Sequence, residues 1–220
     1  MSKQNELAQL ADAVTVDGSN VGIGTSSPAA LIDLKHNSAS THLRLTENTS
    51  GNWSALGVDT SDNLRIYTNN DERMRIDSSG RVTKPNQPAF YVHTVENNLA
   101  VGQVVNFLNT TTNVGNHWNN SNNRFVAPVA GMYQFNFSVF THRTTNTGDF
   151  YWDLRINGVT KLRAYDGKDG GVNRHCQVMA SSALYMTANQ YADLNFSASP
   201  SNVSMEASGF HNNFSGYLIG

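Results

Sequence analysis

With a single cysteine, Cys176, among 220 residues, the chain can form no internal disulfide, and the fold must stand on packing alone. Proline is scarce, at 5 residues, and only 15% of the side chains are charged, against roughly 25% in an average globular chain. The 15 basic and 17 acidic residues leave a net charge of -2, so there is no basic footprint for a nucleic-acid partner. No apolar run reaches the roughly 18 residues of a membrane span, and the opening MSKQNELAQLADAV has no apolar segment behind a basic one. Neither membrane insertion nor a secretory signal is expected. The seven histidines (36, 42, 93, 117, 142, 175 and 211) stand singly, without the helical spacing that holds zinc. His175 and Cys176 are adjacent, and strand alternation would point them apart, which favours a small core cysteine over an activated thiolate. There is no Gly-x-Ser-x-Gly elbow or P-loop, so no enzyme, catalytic residue or organic cofactor is expected.

The chain is rich in uncharged turn formers, with 28 Asn and 17 Gly, a balance that favours strands and turns over long helices. Aromatic residues divide it in two. Residues 1 to 89 contain only Trp53 and Tyr67, while the other nineteen Phe, Tyr and Trp follow from Phe90 onward. Each aromatic side chain buries about 150 to 250 Å², so the second region can build an ordinary core and the first cannot. The spacing of Leu7, Leu10, Ala11 and Val14 predicts a short N-terminal helix, which would form an attachment segment over residues 1–28. Strand-like pieces follow over 31–36, 41–48, 52–59, 63–69 and 72–78, each bounded by Gly, Asn, Asp or Ser. Alternation sets Leu43, Leu45, Leu64, Ile66, Met74 and Ile76 on one face and His42, Arg44, Arg65, Arg73 and Arg75 on the other. Burying a Leu contributes about 1.5 to 3 kcal/mol, while ordering each backbone residue costs about 1 to 2 kcal/mol. A sheet this thin needs a partner surface, and identical copies supply one. Residues 29–88 are therefore expected to form an intertwined, trimeric β stalk.

Two phrases carry a resemblance. Asn20 to Pro28 reads NVGIGTSSP and Glu72 to Val82 reads ERMRIDSSGRV; joined in the order ERMRIDSSG-NVGIGTSSP they resemble the repeating unit of tail-fibre and other virion-appendage proteins of bacterial viruses. That resemblance implies a virion structural protein, assembled in the host cytoplasm and joined to other virion or tail proteins through its N-terminal segment.

From residue 89 onward the alternation is stronger. Met132 to Phe140 sets Tyr133, Phe135, Phe137 and Val139 against Gln134, Asn136 and Ser138. Asp149 to Asn157 does the same with Phe150, Trp152, Leu154 and Ile156, and Asn157-Gly158 then signals a hairpin turn. Further strands are read at 176–187, 191–199 and 210–219, giving a sandwich or jelly roll. Five residues separate Phe107 from Asn113, four lead on to Trp118, six to Phe125 and five to Gly131, with Tyr133, Phe135 and Phe137 following. This spacing, with the closing FSGYLI, resembles the globular head of complement component 1q, a branch of the tumour-necrosis-factor-like jelly rolls. The fold class expected is all-β: a ten-stranded jelly-roll head over 89–220, preceded by the stalk and the short helix. The resemblance implies a homotrimer, with Phe107, Phe125, Tyr133, Phe135, Phe137, Phe214 and Leu218 in core and trimer packing.

Candidate sites are few. In DGKDGG, Asp166 and Asp169 are candidate calcium ligands, in line with a family whose members often bind calcium, although a solvated turn suits the spacing as well. The run NHWNNSNNR offers Trp118, Asn119 and Asn120, with Lys168, as contacts for a host cell-surface glycan or protein. Trp118 also fills a fingerprint position that favours the interior. The function expected is host attachment by a non-enzymatic homotrimer. The rivals are an architectural capsid or tail decoration protein without a receptor, and a polysaccharide depolymerase whose carboxylates meet between chains.

Overall fold

The computed structural model describes residues 13–35, 40–46, 49–94, 99–143, 149–167, 174–197, 204–205 and 211–220. The chain forms two compact units that meet in sequence between Pro85 and Asn86. Among the described residues no helix is long and apolar enough to cross a membrane.

The first unit begins with three short strands, β1 (Val14–Asp17), β2 (Asn20–Ile23) and β3 (Ile32–Leu34). β1 and β2 make an antiparallel hairpin, and β3 pairs parallel to β2. Here the helical expectation needs a correction. Val14 lies in a strand and pairs with Ile23, so pairing across the hairpin ends the helical spacing one residue early; Ala13 just before it is helical, and Leu7, Leu10 and Ala11 lie outside the described residues. The phrase NVGIGTSSP folds back on itself: the Asn20 amide donates to the Pro28 carbonyl at 3.2 Å, and a Cβ on Gly22 would stand 2.7 Å from the Thr25 carbonyl oxygen. Glycine is required there by its own loop.

An antiparallel meander follows: β4 (Ser40–Thr46), β5 (Trp53–Val58), β6 (Leu64–Thr68), β7 (Asp71–Ile76) and β8 (Val82–Thr83). Two of its turns share one construction. The Asp59 carboxylate accepts the backbone N–H groups of Ser61 and Asn63 at 2.9 and 3.1 Å, and the Asp77 carboxylate accepts those of Ser79 and Arg81 at 2.9 and 3.0 Å. Side-chain oxygens of this kind satisfy turn donors that the ladder cannot reach.

The second unit is a sandwich of two five-stranded sheets. One has the order β10 (Asn109–Val114), β9 (Ala89–His93), β19 (Asn213–Leu218), β13 (Gly131–Arg143), β16 (Arg174–Met186), with the two-residue β18 (Ser204–Met205) also on β13. The other runs β11 (Trp118–Asn119), β12 (Arg124–Val126), β17 (Tyr191–Phe196), β14 (Phe150–Ile156), β15 (Val159–Asp166). These ten strands are the jelly roll, with β18 as a short addition. The β14–β15 hairpin turns at Asn157 and Gly158, both with positive φ, at 50° and 77°, as a tight two-residue turn requires.

The core lies between the sheets. Phe107, Phe125, Tyr133, Phe135, Trp152, Leu194, Phe196 and Phe214 are buried to within 1% of their surface, and Phe90 stacks on Trp118 and Phe125 at 5.1 and 4.9 Å. Three fingerprint residues do their work through hydrogen bonds and space. The Asn113 side chain brackets Trp118, accepting from its N–H at 2.9 Å and donating to its carbonyl at 3.0 Å. The Tyr133 hydroxyl donates to the Val129 carbonyl at 2.8 Å, so the phenol is buried with its polar end satisfied. A Cβ on Gly131 would meet Leu218 at 2.8 Å.

Candidate interaction surfaces

In the first unit the register gathers the aliphatic side chains on one face of the meander. Leu43 faces Leu56, which faces Ile66, which faces Met74, and beside them Val58 faces Leu64, which faces Ile76. This face is wet. Leu43, Leu45, Leu56, Val58 and Leu64 are between 38% and 66% exposed, and among the described residues Ala55 is the one buried apolar side chain of this meander. The opposite face is the one whose groups are internally satisfied. Arg65 bridges Asp59 at 3.2 Å and Glu72 at 3.7 Å, and Arg75 holds Glu72 through two bonds of 2.8 Å. Arg44 lies over Trp53, which packs on Tyr67 at 5.4 Å.

Asp59 is held down to about 2, chiefly by the hydrogen bond from the Asn63 side chain; partial desolvation opposes this, and the backbone N–H groups of Asn63 and Ser61 and the Arg65 charge reinforce it. Glu72 is lowered by its hydrogen bond to Arg75, and Asp77 by the Arg81 backbone N–H and guanidinium. A polar face locked in this way and an aliphatic face left to water invert the arrangement of a self-sufficient sheet.

On the second unit, the sheet containing β13 turns Tyr133, Phe135 and Phe137 inward and Met132, Gln134, Asn136 and Ser138 outward. That outward face has a hydrogen-bonded polar centre: Gln134 donates to Ser181 at 2.7 Å, Ser181 to Asn136 at 2.8 Å, and Gln177 to Ser138 at 2.9 Å. Around it stand exposed apolar and aromatic groups, Met179, Tyr185, Tyr217 and Met132. Sequence reasoning left these four out. The signal available was the apolar residues on both parities of ALYM and SGYLI.

The sheet containing β14 buries two carboxylates on the face turned away from the core. Asp193, fully buried, accepts from Arg155 at 2.7 Å and Arg124 at 3.2 Å. Asp153 accepts from both arms of Arg163 at 2.7 and 2.8 Å, from Ser197 at 2.6 Å and from Thr160 at 3.2 Å. Burial pushes Asp153 up, but the hydrogen bonds from Arg163 and Ser197 outweigh it and hold the carboxyl below its usual range.

The residues singled out in the sequence fall in different places. Phe107, Phe125, Tyr133, Phe135, Phe137 and Phe214 are buried, and Leu218 is half-buried against them. Trp118 corrects an expectation: at 4% exposure it belongs to the core, its ring held by Phe90, Phe107 and Phe214 and its indole N–H donated to Asn120 at 2.7 Å, so it offers a receptor no face. Asn119 and Asn120 are exposed, but Asn119 accepts the Ser121 N–H and Asn120 also accepts the Thr110 hydroxyl. Asp166 is buried, with the Thr141 hydroxyl 3.5 Å away, whereas Lys168 and Asp169 lie outside the described residues. Calcium takes roughly six to eight oxygens. Among the described residues no three His, Cys, Asp or Glu side chains gather to hold an ion.

Comparison with known proteins places this geometry. The family model described as the C1q domain matches residues 89–219. Among solved structures, the globular domain of zebrafish complement 1qA protein is 18% identical, over 61% of this chain and 98% of that one, with a TM-score of 0.48. The Eiger TNF from S. frugiperda is 9% identical, over 61% of this chain and 94% of that one, with a TM-score of 0.49. No curated protein matches the chain.

Proposed function

This chain belongs to the C1q domain family through its second unit, and from that premise we propose that it is a non-enzymatic homotrimeric attachment protein of a bacterial virus. Domains of this family commonly form homotrimers and are typically not enzymes. The observation that carries the proposal is the exposed aliphatic face of the first unit, which three copies brought together about an axis would bury. In that assembly the first units form a stalk and the C1q domains its head. The residues before Pro28 join the stalk to other virion proteins.

The two phrases that resemble the virion-appendage repeat, ERMRIDSSG and NVGIGTSSP, support placement on a virus. Three heads on one stalk multiply weak contacts with the bacterial surface into firm attachment. Purified chain added before infection is expected to compete with the virus for adsorption, and antibody labelling to mark an appendage of the particle. Labelling without competition would favour an architectural protein. Shortening of host polysaccharide by the purified chain would favour a depolymerase.

A further inference from the structure

The sheet containing β14 carries an aromatic pair outside the core, on the face turned away from it. Tyr151 on β14 and Tyr165 on β15 stand opposite each other in register, and their rings stack at 5.3 Å with 28° between planes. Both phenols donate to one carboxylate, Asp149, Tyr165 at 3.0 Å and Tyr151 at 3.4 Å. The Arg163 guanidinium covers the Tyr151 ring at 4.8 Å and is itself held by Asp153. Gly167 admits the Tyr165 ring, because a Cβ there would stand 3.1 Å from its Cε1. Tyr165 is thus fixed at its hydroxyl and by its stacking partner, yet 54% of it is exposed. A groove of about 430 Å³ runs beside it, lined by Arg163, Tyr165, Gly167, Gln177 and Met179.

We propose that Tyr165 and this groove form a binding subsite for a neutral hexose, with the Tyr165 ring as the stacking platform. The C–H face of a pyranose is apolar and flat, and a pre-positioned aromatic ring binds it with little loss of side-chain entropy. The hydroxyls around the sugar need acceptors and donors at its rim. Asp149 keeps acceptor capacity beyond its two phenol bonds, and the Gln177 amide supplies both kinds. Charge selects the class of sugar. The Arg163 charge is taken up by buried Asp153, whereas Asp166 lines the groove and Asp149 holds the Tyr165 hydroxyl, so the carboxylates disfavour a uronic or sialic acid. The space suits one or two sugar rings, within the usual range of ligand sites of roughly 300 to 1,000 Å³.

This subsite rests on the attachment reading and names the chemistry that attachment would use. The test is saturation-transfer NMR on the full chain with the methyl glycosides of glucose, galactose and mannose, alongside binding of the same protein to host cells. At least one glycoside is expected to take up signal. Tyr165→Ala and Tyr165→Leu are expected to weaken it about tenfold or more, with the melting temperature unchanged. Tyr165→Leu keeps an apolar side chain and removes the flat ring, so equal loss in both variants assigns the effect to stacking. No transfer from any glycoside, or transfer that survives both substitutions, overturns the subsite. Cell binding that persists in Tyr165→Ala overturns the assignment of this subsite to attachment and leaves attachment standing. Glycoside binding with no cell binding upholds the subsite and overturns attachment.

Discussion

Gly216 lies in β19 in ordinary extended backbone, so conformation alone would allow any residue there. Space does not. A Cβ at this position would stand 2.7 and 2.9 Å from the Phe135 ring and 2.8 Å from the Phe90 ring, closer than real Cβ contacts. Both rings are buried, at 0% and 2% exposure, and are held by Phe125 and Phe214, so neither can swing away cheaply. Overpacking of this kind costs about 1 to 3 kcal/mol; the smaller entropy of an unfolded alanine returns about 0.5 kcal/mol. Gly216→Ala is therefore expected to destabilise the second unit by about 0.5 to 2.5 kcal/mol, lowering its melting temperature by roughly 2 to 12 °C in calorimetry. Adding Phe135→Leu removes ring atoms from the point of collision. The double variant should be more stable than the sum of the two single changes by about 1 kcal/mol. A neutral Gly216→Ala, or strict additivity, would refute the aromatic packing around β19.

Three further outcomes follow from the same contacts. Leu56→Asp places a carboxylate on a face whose five half-exposed aliphatics would gain about 4 to 7 kcal/mol per chain by burial between copies; residues 14–85 should become sensitive to limited proteolysis, and unchanged resistance would count against a shared interior. Asp59 titrates near 2 when folded against an ordinary 3.8, so its contribution is present above 3.8 and lost as pH falls towards 2. Glu72 and Asp77 shift in the same direction, and circular-dichroism melts should show the first unit weakening between about pH 4 and 2; a melting temperature that stays flat across that window would contradict the ladder. Asp193→Ala leaves Arg124 and Arg155 without the carboxylate they share, a loss of about 3 kcal/mol and roughly 10 °C in melting temperature, and a shift under 2 °C would show that the arginines find other partners.

Much of the second unit was legible because period-two alternation over 132–140 and 149–157 encodes both strand and inward face, and Asn157-Gly158 marks the turn between β14 and β15. In the first unit, alternation placed Leu43, Leu64 and Ile66 on one face correctly. Val14 was misread because its spacing from Leu7, Leu10 and Ala11 suits a helix, while its partner Ile23 lies across a hairpin that local pattern does not reveal. The tyrosine pair was hidden for a different reason. A two-residue turn at Asn157-Gly158 would continue the register of Ile156 with Val159 and set Tyr151 opposite Ala164. The bulge between Leu154 and Arg155 shifts the pairing by one residue and brings Tyr165 opposite Tyr151. Residue types alone do not announce a bulge. Trp118 was readable from its fingerprint position, but its Asn120 partner, which satisfies the indole, emerged only with the turn folded.

The most direct measurement is the mass of the intact chain in dilute buffer, by light scattering after size exclusion. Three times the 24.1 kDa chain mass is expected across the dilution series, because the aliphatic face of the first unit has no cover among the described residues. A stable particle of 24.1 kDa, with the first unit folded and resistant to protease, would contradict it.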